Sequence, residues 1–409
     1  MKRYDYTLFS QGGIGTLTLK NRLVRSATWD PCILKELRMT DEVARIYRDL
    51  AIGGVGLIIT GGFPVASEGM PFANEPDSTL RLYEDLRVEG GWMLAQAVHE
   101  AAPDTKVVAQ LETGYMSKAP SAVPSPFGGE LPIPFSTEEI RTIVDSFVRA
   151  IAAARDDGFD GVQLHAAHGG FLSRFLSPYS NRRADEYGGS ARNRARIVRE
   201  ILAGARKIVG DFPILIKMNG TDYVEGGIDA ASFPELAREI EAAGIDAVEV
   251  SGGMWDCLTR SESELGFRPE PSPEAHTRIA RPERQSYFLP FAEALALRIP
   301  VILVGGNRDA ERLEAIVRGG KVDFIALCRP LISEPDLPRR WLEGRGKRGM
   351  DCISCNACLY EMLVHPGRET PPPVRCVWKS DKAMHRDARR WVRNWVKENV
   401  PLQQTGGRP

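Results

Sequence analysis

The chain has 409 residues, and its 53 Lys and Arg nearly balance 54 Asp and Glu, a formal net charge of -1 that offers no field for nucleic acid or an anionic membrane. A hydrophobic fraction of 43% with 26% charged residues describes a soluble globular protein with a large core. The longest apolar run, around Val55–Thr60, is strand-sized and far short of the ~18 residues of a membrane span. Met1–Ser10 lacks the apolar core of a secretory leader, so a cytoplasmic protein is expected.

From Leu19 to Glu343 short β-rich runs alternate with amphipathic segments. The predicted strands are Arg22–Ala27, Val55–Thr60, Lys106–Leu111, Gly161–His165, Ile214–Met218, Ala247–Ser251, Val301–Gly305 and Phe324–Leu327. Helical spacing covers Asp41–Ile52, Thr137–Asp157, Arg192–Val209, Ser232–Ala243, Glu283–Arg298 and Ala310–Arg318. Asp157-Gly158 and Ala243-Gly244 place glycine where a helix stops just before the next strand. Alternation of this kind implies parallel pairing, and near-continuous apolar strands imply burial on both faces. Eight such units favour a closed barrel over an open doubly wound sheet, and no GxGxxG follows the first strand. The predicted fold class is therefore α/β: a (β/α)8 TIM barrel over residues 1–345. A short cysteine-bearing C-terminal extension follows over 346–409.

Two long insertions, Thr113–Ser136 and Gly252–Pro282, follow barrel strands and should lie over the C-terminal mouth, where barrel enzymes put their substrate loops. Within the extension, Pro371–Pro373 breaks regular structure. The basic piece Asp387–Glu398 reads as a helix with a solvated face, docked by Trp391 and Trp395.

Three groups of residues carry chemistry. His165-Ala166-Ala167-His168-Gly169 ends the fourth strand, so two imidazoles point into the mouth, where they can donate hydrogen bonds to a carbonyl or carboxylate oxygen. Gly305-Gly306 closes the seventh strand and Cys328-Arg329 follows the eighth, the place where barrels bind phosphate with backbone N–H groups and a cation. Cys352, Cys355 and Cys358, with Cys376 further on, form a thiol cluster that suits an iron–sulfur cluster or zinc in a reducing compartment. The remaining Cys32, Cys257 and Cys328 are scattered, and each reads on its own as a small buried hydrophobe.

The run from Phe171 through Ser180-Asn181-Arg182-Arg183 and Tyr187-Gly188-Gly189-Ser190 to Arg192-Asn193-Arg194 resembles the signature of the old yellow enzyme family, the NADH:flavin oxidoreductases. Asn21-Arg22, Arg25-Ser26-Ala27-Thr28, Gly53 to Gly62, Gln110-Leu111, Val304-Gly305-Gly306 and Arg329-Pro330-Leu331-Ile332 extend the likeness over roughly residues 1–345. The cysteine loop is similar to that of the trimethylamine dehydrogenase and 2,4-dienoyl-CoA reductase branch. It differs in a longer gap before Cys376, and the extra nucleotide-binding domains of that branch have no counterpart here.

The resemblance implies FMN as cofactor and NAD(P)H as electron donor, with ping-pong hydride transfer to a small activated alkene or carbonyl substrate. Ser26, Ala27, Thr28 and Gly61 would line the flavin ring. Gln110 would meet its pyrimidine edge and Lys217 its N1/C2 side, where relatives commonly carry Arg. Gly305, Gly306, Cys328 and Arg329 would hold its phosphate end. His165 and His168 would anchor substrate. The proton-donating tyrosine of many relatives is replaced by Gly170, and Tyr179, Tyr115 or solvent can take its part. Cys352, Cys355, Cys358 and Cys376 would carry a four-iron, four-sulfur (4Fe-4S) cluster. With it comes the alternative of an amine dehydrogenase or demethylase that passes electrons to a one-electron carrier protein. A non-redox aldolase or isomerase using Lys217, and a flavin-binding protein without turnover, are the readings from other classes. Expected partners are a small molecule and no nucleic acid or membrane, with self-association left open.

Overall fold

The computed structural model describes residues 6–29, 39–65, 90–113, 118–268, 270–345, 349–364 and 372–400. Cys32, Tyr115, Pro366 and Pro371 lie outside them. The strands in chain order are β1 (Gly12–Ile14), β2 (Leu17–Leu19), β3 (Leu23–Arg25), β4 (Leu57–Pro64), β5 (Lys106–Glu112), β6 (Lys118–Ala119), β7 (Ile133–Pro134), β8 (Gly161–Ala166), β9 (Ile214–Asn219), β10 (Ala247–Ser251), β11 (Val301–Leu303) and β12 (Phe324–Leu327). Eight of them, β3, β4, β5, β8, β9, β10, β11 and β12, close a parallel barrel, as the alternating pattern predicts. Among the described residues no helix is long and apolar enough to cross a membrane.

The barrel interior is built in two layers. At the N-terminal end the antiparallel hairpin β1–β2 plugs the base: Ile14, Leu17 and Leu19 pack against Val24, Leu57, Val108, Leu215, Ile302 and Phe324. Towards the mouth the inward positions become polar. The outer core is formed by the amphipathic helices, Thr137–Asp156 and Arg196–Val209 among them, laid on the outward faces of the strands. Ser136 starts the first of these helices with a capping box closed by Glu139.

Two departures from the expected elements shape the mouth. Strand β4 runs on to Pro64 through a register shift between Ile59 and Gly62. The helix expected over 283–298 shrinks to Leu289–Glu293. Its first part is drawn into a loop, because the Ser286 and Tyr287 N–H groups donate to the carbonyls of Gly306 and Gly305, and Ser286 takes φ of 50°.

The extension lies against the barrel. Helix Ala357–Val364 packs on helix Lys382–Asn399 through Ala357, Val377 and Ala388. Trp391 meets Tyr360, while Trp395 meets Phe127 and Trp255 from the two mouth insertions.

Candidate active site

A chain of buried polar side chains crosses the upper barrel. Gln110 of β5 donates to Gln163 of β8 (2.8 Å), and Gln163 donates to Glu249 of β10 (2.8 Å). Lys217 of β9 lies 3.2 Å from the same carboxylate and donates to Ser26 Oγ at 2.9 Å, and Ser26 Oγ in turn donates to Glu249 at 2.6 Å. Thus Ser26, Gln110 and Lys217, chosen from the sequence, are brought together, and the Lys217 charge is balanced inside the barrel. Gln163 and Glu249 were missed, although Glu249 stands out as a lone acid in an apolar strand. A buried carboxylate survives only when paired and hydrogen-bonded, which this chain provides.

The two histidines sit above that floor with ring centroids 5.2 Å apart. His168 bonds Ser251 Oγ through Nε2 at 2.7 Å, and its backbone, at φ 60°, is held by Asn219 Oδ1. His165 Nδ1 is buried without a partner among the described residues, and its Nε2 lies 3.6 Å from Glu112. Burial holds both imidazoles well below the ordinary 6.5, helped by the positive Lys217 nearby. Both are therefore neutral at physiological pH and keep one N–H each to donate.

Glu112, also missed, ends β5 in the same inward register as Gln110. Desolvation pushes its carboxyl up to about 7. Tyr179 belongs to a different group. Burial and the neighbouring Asp256 raise its hydroxyl, Arg182 lies over its ring, and Asp256 is paired with Arg174 at 3.1 Å.

On the other side of the mouth, Gly305 and Gly306 take φ of 104° and 71°. A Cβ there would come within 2.5 Å of Phe288 and 2.6 Å of Tyr287, so only glycine fits this turn. The two N–H groups donate to no acceptor among the described residues. Arg329 has no carboxylate within ion-pair range among them and donates to loop oxygens, Ala275 O at 3.5 Å, His276 O at 3.0 Å and Asn356 Oδ1 at 2.6 Å. Open amides after β11 and a cation after β12 with no carboxylate partner among the described residues are groups that suit a phosphate. Thr28 Oγ1 lies 3.1 Å from Cys328 Sγ and accepts a hydrogen bond from Arg25. Ala27 packs on the inner core, and the Gly61 N–H donates to Tyr47 Oη at 3.0 Å.

Cys352, Cys355, Cys358 and Cys376 line one small cavity, together with Arg329, Asn356 and Trp378. Cys376 is brought there by its neighbour Arg375, whose guanidinium forks onto Glu361 at 2.6–3.0 Å. Ser354 and Asn356, with φ of 54° and 56°, curl the loop, and Arg308 ties it to the barrel through Ser354 Oγ and Cys352 O. Burial pushes the Cys355 and Cys358 thiols up. Among the described residues no group of three or more His, Cys, Asp or Glu is arranged to hold a metal ion.

The sequence matches the family described as NADH:flavin oxidoreductase / NADH oxidase over residues 7–348. It is 33% identical over 365 residues to NADH oxidase of Thermoanaerobacter brockii, covering 85% of this chain and 52% of that protein. It is 30% identical over 345 residues to NADPH dehydrogenase of Bacillus subtilis strain 168, covering 81% of this chain and 93% of that one. Among solved structures, a 2-naphthoyl-CoA reductase in complex with 2-naphthoyl-CoA superposes with a TM-score of 0.72 at 26% identity, covering 88% of this chain and 55% of that one. The chain thus spans about half the length of the first relative and of the reductase. With a closed eightfold barrel, a polar mouth and a sequence match running almost from end to end of that barrel, the chain belongs to the NADH:flavin oxidoreductase / NADH oxidase family.

Proposed function

We propose that the chain binds FMN non-covalently in the barrel mouth and carries hydride between NAD(P)H and a small activated alkene or carbonyl substrate. The observation that carries this reading is the pair of open N–H groups at Gly305 and Gly306 after one barrel strand, with Arg329 after the next, at a mouth floored by polar side chains. When bound, FMN supplies the two-electron redox chemistry, and the protein supplies position and electrostatics. Gly305, Gly306 and Arg329 hold the phosphate. Ser26, Ala27, Thr28 and Gly61 border the ring, and Gln110 and Lys217 meet its polar edge from the network beneath. His165 and His168 orient the substrate oxygen as neutral donors. Arg329→Ala should lose a few kcal/mol of cofactor affinity. The check is flavin absorbance after gel filtration, and full retention overturns the phosphate assignment.

A second reading is favoured by the four-thiol cavity. Four thiols lining one cavity match in number and kind the ligands that a 4Fe-4S cluster takes. Such a cluster lets electrons leave singly to a carrier protein, as an amine dehydrogenase or demethylase requires. Anaerobically purified protein should hold about four irons per chain. One zinc or no metal, with Cys355→Ser fully active, removes the reading.

A further inference from the structure

The Glu112 carboxyl is flanked by two features that leave it room and give it a partner. On one side it rests on Gly62 of β4, where an added Cβ would stand 2.2 Å from Oε1. On the other, Oε2 faces His165 Nε2 across 3.6 Å. Gly170 borders the same edge of His165, and a Cβ there would sit 3.4 Å from the imidazole Cδ2 and 3.7 Å from Nε2. Position 170, where many relatives carry the proton-donating tyrosine, thus supplies no acid here, while the Glu112 carboxyl stands at the same Cδ2–Nε2 edge of the imidazole that position 170 borders. The Glu112 side chain is 24% exposed, hence reachable from the mouth.

We propose that Glu112 is the acid that delivers a proton to carbon when an electron-poor alkene is reduced, in place of the absent tyrosine. The proposal rests on the flavin reading above. In the step, a hydride arrives with its electron pair from the reduced flavin and forms the C–H bond at the β-carbon. The alkene π pair takes the Glu112 proton at the α-carbon. The flavin is left oxidised, Glu112 is left as carboxylate, and water returns the proton. With the carboxyl at about 7 and His165 well below its ordinary value, Glu112 and not His165 takes the proton of the pair, and the acid form is a large share of Glu112 at neutral pH. Among the described residues, the other titratable groups acting on the pair are His168, Lys217 and Glu274. Lys217 is already matched by Glu249. Glu274, from the loop over the mouth, favours a proton on His165 but does not outweigh its burial.

The test uses the flavin-loaded wild type and Glu112→Gln, which is isosteric with the neutral acid. Each is reduced anaerobically and mixed with 2-cyclohexenone, trans-2-hexenal or β-nitrostyrene, and separately with ferricyanide, which forms no C–H bond. Loss of general-acid catalysis should slow the alkene reactions of the variant roughly 10²–10⁴-fold. Ferricyanide oxidation should not change, and the wild-type pH limb near 7 should vanish. Infrared difference titration gives a readout independent of turnover. A protonated-carboxyl band should disappear with a midpoint near 7 in wild type, flavin-free protein included, and be missing in the variant. Equal alkene rates and pH profiles in the two proteins, or no such band, overturn the proposal. So does a reduced wild type that ferricyanide reoxidises but that leaves all three alkenes untouched, an outcome that spares the flavin reading. Failure to bind FMN at all, with the infrared band still titrating, strikes the flavin reading instead.

Discussion

In the Lys217–Glu249 pair both charges are out of water and each offsets the other. Removing one partner of a buried pair leaves an uncompensated charge, so Glu249→Gln should cost about 3–5 kcal/mol, read from the denaturant midpoint of the flavin-free protein. His165→Ala should leave flavin content intact and slow the substrate half-reaction by ~10²–10³ in stopped flow, as loss of one oriented donor does. The ionisable groups of the mouth also set a pH dependence of stability. His165 and His168 are neutral when folded but charge near 6.5 when unfolded, so their contribution is present above 6.5 and is lost as pH falls below it. Glu112 runs the other way: its folded value of about 7 exceeds the ordinary 4.5, so its contribution is complete below 4.5 and is lost as pH rises through 7. Thermal midpoints should therefore show Glu112→Gln gaining on wild type between pH 4.5 and about 7, with a level advantage above. The histidine pair was legible in the sequence because a motif names it. Gln163, Glu249 and Glu112 were not, since each joins the site only by alternation along a strand whose inward face is known once the barrel closes.

Among the elements, the repeating strand–helix units announce themselves through apolar runs, and all the expected barrel strands form, with ends shifted by a few residues. What the pattern hides is short or irregular. The β1–β2 hairpin has strands of three residues each, too short for alternation to register, yet Leu19 is fully buried at the base of the barrel. Leu19→Ala should cost about 2–5 kcal/mol through the cavity it leaves, while flavin content in the surviving folded protein stays normal because the plug lies at the opposite end from the mouth. The shortened helix at Leu289–Glu293 escaped for a related reason: helical spacing over 283–298 is genuine, but hydrogen bonds to Gly305 and Gly306, distant in sequence, outcompete the helix at its start.

For the molecule as a whole, the sequence located the cysteines and left open how Cys376 crosses the gap to the others. The Arg375–Glu361 fork, a tertiary contact that no spacing rule encodes, is the answer on the described side of that gap. Through Arg308 the cysteine loop grips the barrel, and through Asn356 it grips Arg329 and the mouth insertion at Glu270 and Ala275. Through Ala357, Val377 and Ala388 it grips the terminal helix, and that helix reaches the rim through Trp395 against Trp255 and Phe127. The loop is therefore the keystone of a roof over the mouth. A group held by its thiols, as the second reading has it, would contribute binding energy to the order of that roof, since unfolded cysteines form no such site. Stripping the thiol site should leave the barrel standing while the terminal helix and rim loops become the first places a protease cuts. Occupancy of a site outside the barrel would then be readable, before any turnover is measured, in how tightly the entrance is shut.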